Sequence, residues 1–193
     1  MLNQMQGVLS KFNWVDILTL LLFLRSCFIG SKKGFITELF KVFGLLIAIY
    51  ISLHYFSQAS GILTKWVPFL GVTFADFLCF VTLAILPYVS VALFRIAVLN
   101  FVKVEAANLL DKWGGFSLGI VKAYMAVSLL FIGFYFLNVS YLKESLKRSY
   151  LGSKVVNTDV KIYQVLVNGV VSKFAPRESF NNDLYEVLEE DKA

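Results

Sequence analysis

The chain has 193 residues, of which 58% are hydrophobic and 16% charged, and it carries a formal net charge of +5. Its mean hydropathy is +0.72 and its pI is near 9.1. Soluble domains carry about 45–50% apolar residues, so this composition excludes an ordinary soluble fold and points to a membrane protein. The basic balance does not imply nucleic acid, because no basic patch is interleaved with aromatics on a soluble face. In a membrane protein Lys and Arg set topology and meet anionic headgroups.

Four apolar segments follow in chain order. The first covers about 14–30, "WVDILTLLLFLRSCFIG", with Asp16 near its start and Arg25 near its end. No small-x-small cleavage pattern follows it, so it is expected to be a retained span and not a signal peptide. The second covers about 35–56, the third about 77–94 and the fourth about 120–141. Each approaches the roughly 20 residues that a helix needs to cross a core of about 30 Å. Residues 31–34 read as a tight turn that makes a hairpin of the first two helices. Residues 57–75 read as a longer loop with Trp66, Phe69 and Leu70 at the interface, and 96–115 as part helix and part interfacial turn.

The character changes after residue 142. Leu142, Leu146 and Tyr150 recur every four residues. Ile162, Val165, Leu166, Gly169 and Val170 share one helical face, with Lys161, Gln164, Asn168 and Ser172 on the other. Both patterns suit amphipathic helices resting on the membrane or on the bundle. The expected architecture is an all-α membrane protein, with four transmembrane helices as two hairpins in 1–142. Amphipathic interfacial helices follow in 143–175, and an acidic, flexible tail in 176–193.

Topology follows from the basic residues flanking the spans. Lys32 and Lys33 mark the first connection and Lys103 and Lys112 the third, with Arg95 and Lys122 nearby. Those two connections are therefore expected in the cytoplasm and both termini outside, although Lys143, Lys147, Arg148 and Lys154 after the last span pull the other way.

Small residues line two helices. Gly34, Glu38, Lys41, Gly44, Ala48 and Ser52 fall on one face of the second, and Gly115, Gly119, Lys122, Ala126 and Gly133 on one side of the fourth. Each helix opens on Gly-x-x-x-Gly, "GSKKG" at Gly30 and "GFSLG" at Gly115. Such faces let backbones approach closely, so packing is the first expectation and a solute path along the stripes the second. Ionisable residues within spans are functional candidates. Of these, Glu38 and Lys41 are three apart and can pair, whereas Asp16 and Arg25 lie on opposite helix faces.

Catalytic patterns are absent: there is no Gly-x-Ser-x-Gly, no His-Glu-x-x-His and no phosphate loop. Cys27 and Cys79 form no CxxC pair, and His54 is the only histidine. No metal site, cofactor or enzymatic activity is therefore expected.

"NWVDILTLLLFL", a turn, and then "KKGFITELFKVFGLLIA" resemble the start of the colicin V production protein family. Asn13, Trp14, Asp16, Gly34, Phe35, Glu38 and Gly44 occupy the family's positions. "LLDKWGGFSLGIVKA" is similar to the opening of the family's last span through Asp111, Gly115, Gly119 and Lys122, with lysine where arginine is usual. The likeness covers about 13–141 and, more weakly, "SYLGSKV". It implies a four-span bacterial inner-membrane protein tied to making or exporting colicin V, and it carries over no catalytic residue. The expected function is thus support of toxin production or secretion, or of the envelope, through helix-mediated assembly with itself or a membrane partner. The alternatives are a small channel or transporter subunit, and a membrane anchor whose tail recruits a soluble partner.

Overall fold

The computed structural model describes residues 12–101, 108–175 and 180–189. Four long helices dominate: α1 Trp14–Lys33, α2 Phe35–Trp66, α3 Val72–Phe101 and α4 Asn108–Phe136. All four are long and apolar enough to cross a membrane. Shorter helices follow: α5 Ser140–Arg148, α6 Gly152–Val155, α7 Thr158–Leu166, a π-helical turn Val167–Val171, α8 Ser172–Phe174 and α9 Asp183–Glu189. Lys103 lies outside the described residues.

Several boundaries move, each for a local reason. Helix α1 runs through the expected turn to Lys33, and the break is Gly34 alone at φ +81°, a region that only glycine enters cheaply. Helix α2 continues through "SQASG" to Trp66, so the expected 57–75 loop shrinks to 67–71. Turn-prone residues yield here to packing, because Ser60 is buried; the helix ends one residue before Val67-Pro68, where a following proline disfavours helical backbone. Helix α4 stops at Phe136, short of 141. Asn138 then takes φ +52°, which asparagine tolerates better than most residues, and its carboxamide accepts from Lys143 Nζ at 2.7 Å.

The two-hairpin pairing also needs correction. Helix α1 packs mainly on α4 and α2 mainly on α3, while α1 and α2 scarcely touch despite their one-residue connection. Small residues decide this. Gly30 of α1 meets Gly115 and Gly119 of α4, and Gly44 of α2 receives Tyr88 and Val91 of α3. Helices α2 and α4 then close the core through Ile49, Leu53, Phe56, Phe131 and Phe136, with Phe56 and Phe136 edge to face at 4.7 Å. Helix α3 is peripheral: 11% of its apolar window is buried, against 44% for α2 and α4. Its Ile85, Leu86, Leu93 and Phe94 point outward, away from the rest of the bundle.

The segment after α4 packs on the bundle at the end where α1 begins. Leu146, Val155, Val160, Tyr163 and Val167 join the same core. The inward face of α7 and the π-helical turn is thus Val160, Tyr163 and Val167; of the face expected to rest on the membrane or the bundle, Val165 and Val170 are exposed. The expected flexible tail is also docked in part. Leu184 is fully buried, and the Asn181 carboxamide donates to the carbonyls of Leu53 and His54 at 3.2 and 3.1 Å.

Candidate functional site

At the Gly34 end the helices are joined by backbone contact and by carboxylates. A Cβ on Gly30 would lie 2.3 Å from the Gly115 carbonyl oxygen, and one on Gly119 2.9 Å from that of Ser26. Ser26 Oγ donates to the Gly119 carbonyl at 2.9 Å. The fourth helix's glycines therefore seat α1 directly, which leaves no path between them. One member of that stripe, Ala126, is exposed.

Asp111 performs a task that the spacing did not suggest. Gly34 has no side chain to cap α2, and Asp111 of α4 supplies the cap from across the bundle: Phe35 N–H donates to Asp111 Oδ1 at 2.6 Å. A carboxylate there also complements the positive end of the helix dipole. Gly34 must be glycine for a second reason, since a Cβ would strike the Asp111 carboxylate.

Glu38 is fully buried. It accepts from Lys41 on its own helix, as the spacing anticipated, and from Lys122 of α4, which the spacing could not show. The two lysine side chains are 13% and 12% exposed. One carboxylate thus ties α2 to α4 between two ammonium groups, a low-dielectric arrangement in which each charge depends on its partners. Lys32, Lys33 and Lys112 remain exposed around this end, and Lys32 Nζ lies over the Phe28 ring at 4.2 Å.

Asp16 organises the opposite end. Asn13 and Asp16 form a capping box at the start of α1, satisfying N–H groups that lack helical partners. The Asp16 carboxylate goes further: Oδ1 accepts from Ser149 Oγ and from Leu151 N–H, both at 2.7 Å, while Oδ2 accepts from Asn13 N–H at 2.9 Å. The elbow between α5 and α6 is therefore fastened to the first span. Gly152 closes it, because a Cβ there would meet Val15 at 2.9 Å. Trp14 stacks on Tyr141 beside this joint. Sequence reasoning missed Ser149 and Gly152; the weak likeness in "SYLGSKV" was the only signal for them. Asp16→Ala would leave buried donors unsatisfied, at about 1–3 kcal/mol each. Its expected outcome is faster proteolysis at 149–152 in detergent, with α1 still inserted.

Deeper in the same region, Ser128 of α4 donates to the Val156 carbonyl and accepts from Asp159 N–H, both at 3.0 Å. The Asp159 side chain is buried and neither of its carboxyl oxygens has a hydrogen-bond partner. Burial pushes this carboxyl well above the usual carboxylate range. The seated state of α7 therefore holds the proton more tightly than a released one. Its stabilisation is complete below the ordinary carboxyl value and fades as pH rises through the raised one. Asp159→Asn keeps the shape and removes the proton. It should raise the melting temperature at alkaline pH by about a few degrees and flatten the pH profile; superimposable profiles for variant and parent would contradict this. His54 is likewise engaged, its Nδ1 lying 2.8 Å from the Tyr163 hydroxyl. Among the described residues no group of three or more His, Cys, Asp or Glu is placed to hold a metal ion.

A family model described as colicin V production protein matches residues 15–159. The chain belongs to the colicin V production protein family. The family region begins one residue before Asp16 and takes in Glu38, Asp111, Gly115, Gly119, Lys122 and the 149–152 elbow; it closes on Asp159. The fastenings made by the Asp16, Glu38 and Asp111 side chains to other helices thus lie within it, whereas Tyr163, Asn181 and α9 lie beyond it. No curated protein and no solved structure matches the chain. Membership and the four apolar helices make this a multi-pass membrane protein. The colicin V production family is not a known enzyme family, and membership supports a role in colicin V production.

Proposed function

We propose that the protein is a non-catalytic protein of the bacterial cytoplasmic membrane. It supports production or secretion of a colicin V-type toxin, or envelope function more broadly, by assembling through its helices. The observation that carries this reading is the fate of three carboxylates. Asp16 holds three donors, Glu38 two ammonium groups and Asp111 a helix N-terminus. Groups so committed join helices and are poorly placed to exchange protons with a substrate. The surface offered for assembly is α3, whose outward residues Ile85, Leu86 and Leu93 are more than half exposed. Its occupant is a membrane partner or a second copy. In this reading Lys32, Lys33 and Lys112 face the cytoplasm and both termini face outward, with Arg148 offset by Glu144.

The test is photo-crosslinking in native membranes from Leu86 or Leu93, with Leu24 of α1 as the comparison position. Protein adducts from α3, identified by mass spectrometry, are expected. Lipid adducts alone from both α3 positions would overturn the assembly reading.

A further inference from the structure

The end of the bundle away from Gly34 contains a cavity of about 370 Å³ between α2, α3, the end of α4 and α9. This volume lies within the range of pockets that hold small ligands. Two features give it a chemical character. Its floor is aromatic: Phe56, Tyr135 and Phe136 line it, and Phe136 stacks on Phe80 at 4.6 Å. Its wall is polar and acidic, with hydroxyls from Ser57, Ser60, Thr64 and Thr73 beside the carboxylates of Asp76 and Asp183. Ser60 is hydrogen-bonded to Asp76 and Ser57 to Asp183, so each acid is oriented by a hydroxyl of α2. Among the described residues no lysine or arginine lines the cavity.

We propose that this cavity binds a small organic ammonium ion carried on an apolar or aromatic body. The charge is set by two carboxylates that no cation among the described lining residues balances. The body is set by the floor, which is apolar where Phe56, Tyr135 and Phe136 line it. The hydroxyls accept the remaining N–H donors of the ammonium group. Part of the site lies outside the family region. Asp183 and Val187 form its outer wall, and both lie beyond the family region, which ends at residue 159. The docking of α9 that completes it depends on Asn181 and Leu184. This inference is independent of the assembly reading.

The probes are phenethylamine and its neutral counterpart 2-phenylethanol, titrated into the purified full chain in detergent at neutral pH by calorimetry. Saturable one-to-one binding of the amine, with none of the alcohol, is expected. Asp183→Asn should weaken binding by about tenfold, the usual scale for removing one charge partner. Asp183 is exposed and the amide can keep the Ser57 contact, so folding should be unaffected. Asp76→Asn should weaken binding to a similar degree. Partition of either probe into micelles would be identical for all variants. Equal binding of amine and alcohol, no saturable binding of the amine, or unchanged affinity in both variants would each overturn the proposal.

Discussion

Gly115→Ala is expected to disrupt the bundle, although it adds a single methyl group. The new Cβ would lie 2.3 Å from the Gly30 carbonyl oxygen and 3.1 Å from the Gly34 carbonyl carbon. Both obstacles are backbone, so no rotamer change relieves them. Relief requires α1 and α4 to separate, with loss of the Ser26–Gly119 hydrogen bond and of dispersion contacts that hold helices together in lipid. Overpacking of a tight interior costs about 1–3 kcal/mol, and leucine at the same position should prevent accumulation altogether. Gly30→Ala should act alike, and the double variant should fall short of the sum because both changes open one contact. Two comparisons make the prediction specific. Gly44→Ala meets only side-chain atoms of Tyr88 and Val91, at 3.3 Å and beyond, and should be mild. Gly61→Ala meets nothing within 4 Å, and alanine is favoured over glycine within a helix by about 1 kcal/mol, so it should be neutral or stabilising. Membrane abundance and melting temperature in mild detergent provide the readout. Equal tolerance of alanine at Gly115 and Gly61 would refute the close crossing.

The glycines of the two stripes also mark how far the sequence could be read. Their small size announced that α2 and α4 have packed faces, and both do. Size alone does not name a partner: Gly115 and Gly119 receive α1, while Gly44 receives α3. The short Gly34 connection suggested a hairpin of α1 and α2, but a tight connection constrains where helices meet and not which faces adhere. Periodicity was similarly incomplete for α7. The segment of α7 and the π-helical turn is apolar on two sides, and hydropathy cannot tell the side that packs on Tyr50 and His54 through Tyr163 from the exposed side with Val165 and Val170. Local charge pairs were legible: Glu38 and Lys41 are one turn apart. The contacts of Asp16 with Ser149 and Leu151 span more than 130 residues, and no local rule reaches that far. The composition of 176–193 suggested a free tail, yet Asn181 and Leu184 anchor part of it through only a few atoms.

Glu38→Gln should be the most damaging single change to charge in the protein. Removing it leaves Lys41 and Lys122, each nearly buried, as two like charges without their carboxylate. Breaking a buried pair costs about 3–5 kcal/mol because the orphaned ion keeps its desolvation penalty, and here two ions are orphaned. The lysines behave differently. Lys41→Met leaves Glu38 paired with Lys122, and Lys122→Met leaves it paired with Lys41, so each single change produces a neutral pair and should cost no more than about 1 kcal/mol. A local pairing of Glu38 with Lys41 alone would predict that neutralising both restores stability. The triad predicts otherwise: Glu38→Gln with Lys41→Met still strands Lys122 and stays unstable. Only the triple variant, with Lys122→Met added, should recover most of the loss. Thermal unfolding in detergent across these five variants separates the two arrangements. A triple variant that is stable but no longer supports function would show that the triad moves an ion or proton as well as joining α2 to α4. Lysine variants as unstable as Glu38→Gln would show that Glu38 cannot be held by one partner alone, and the triad would then act as a single unit.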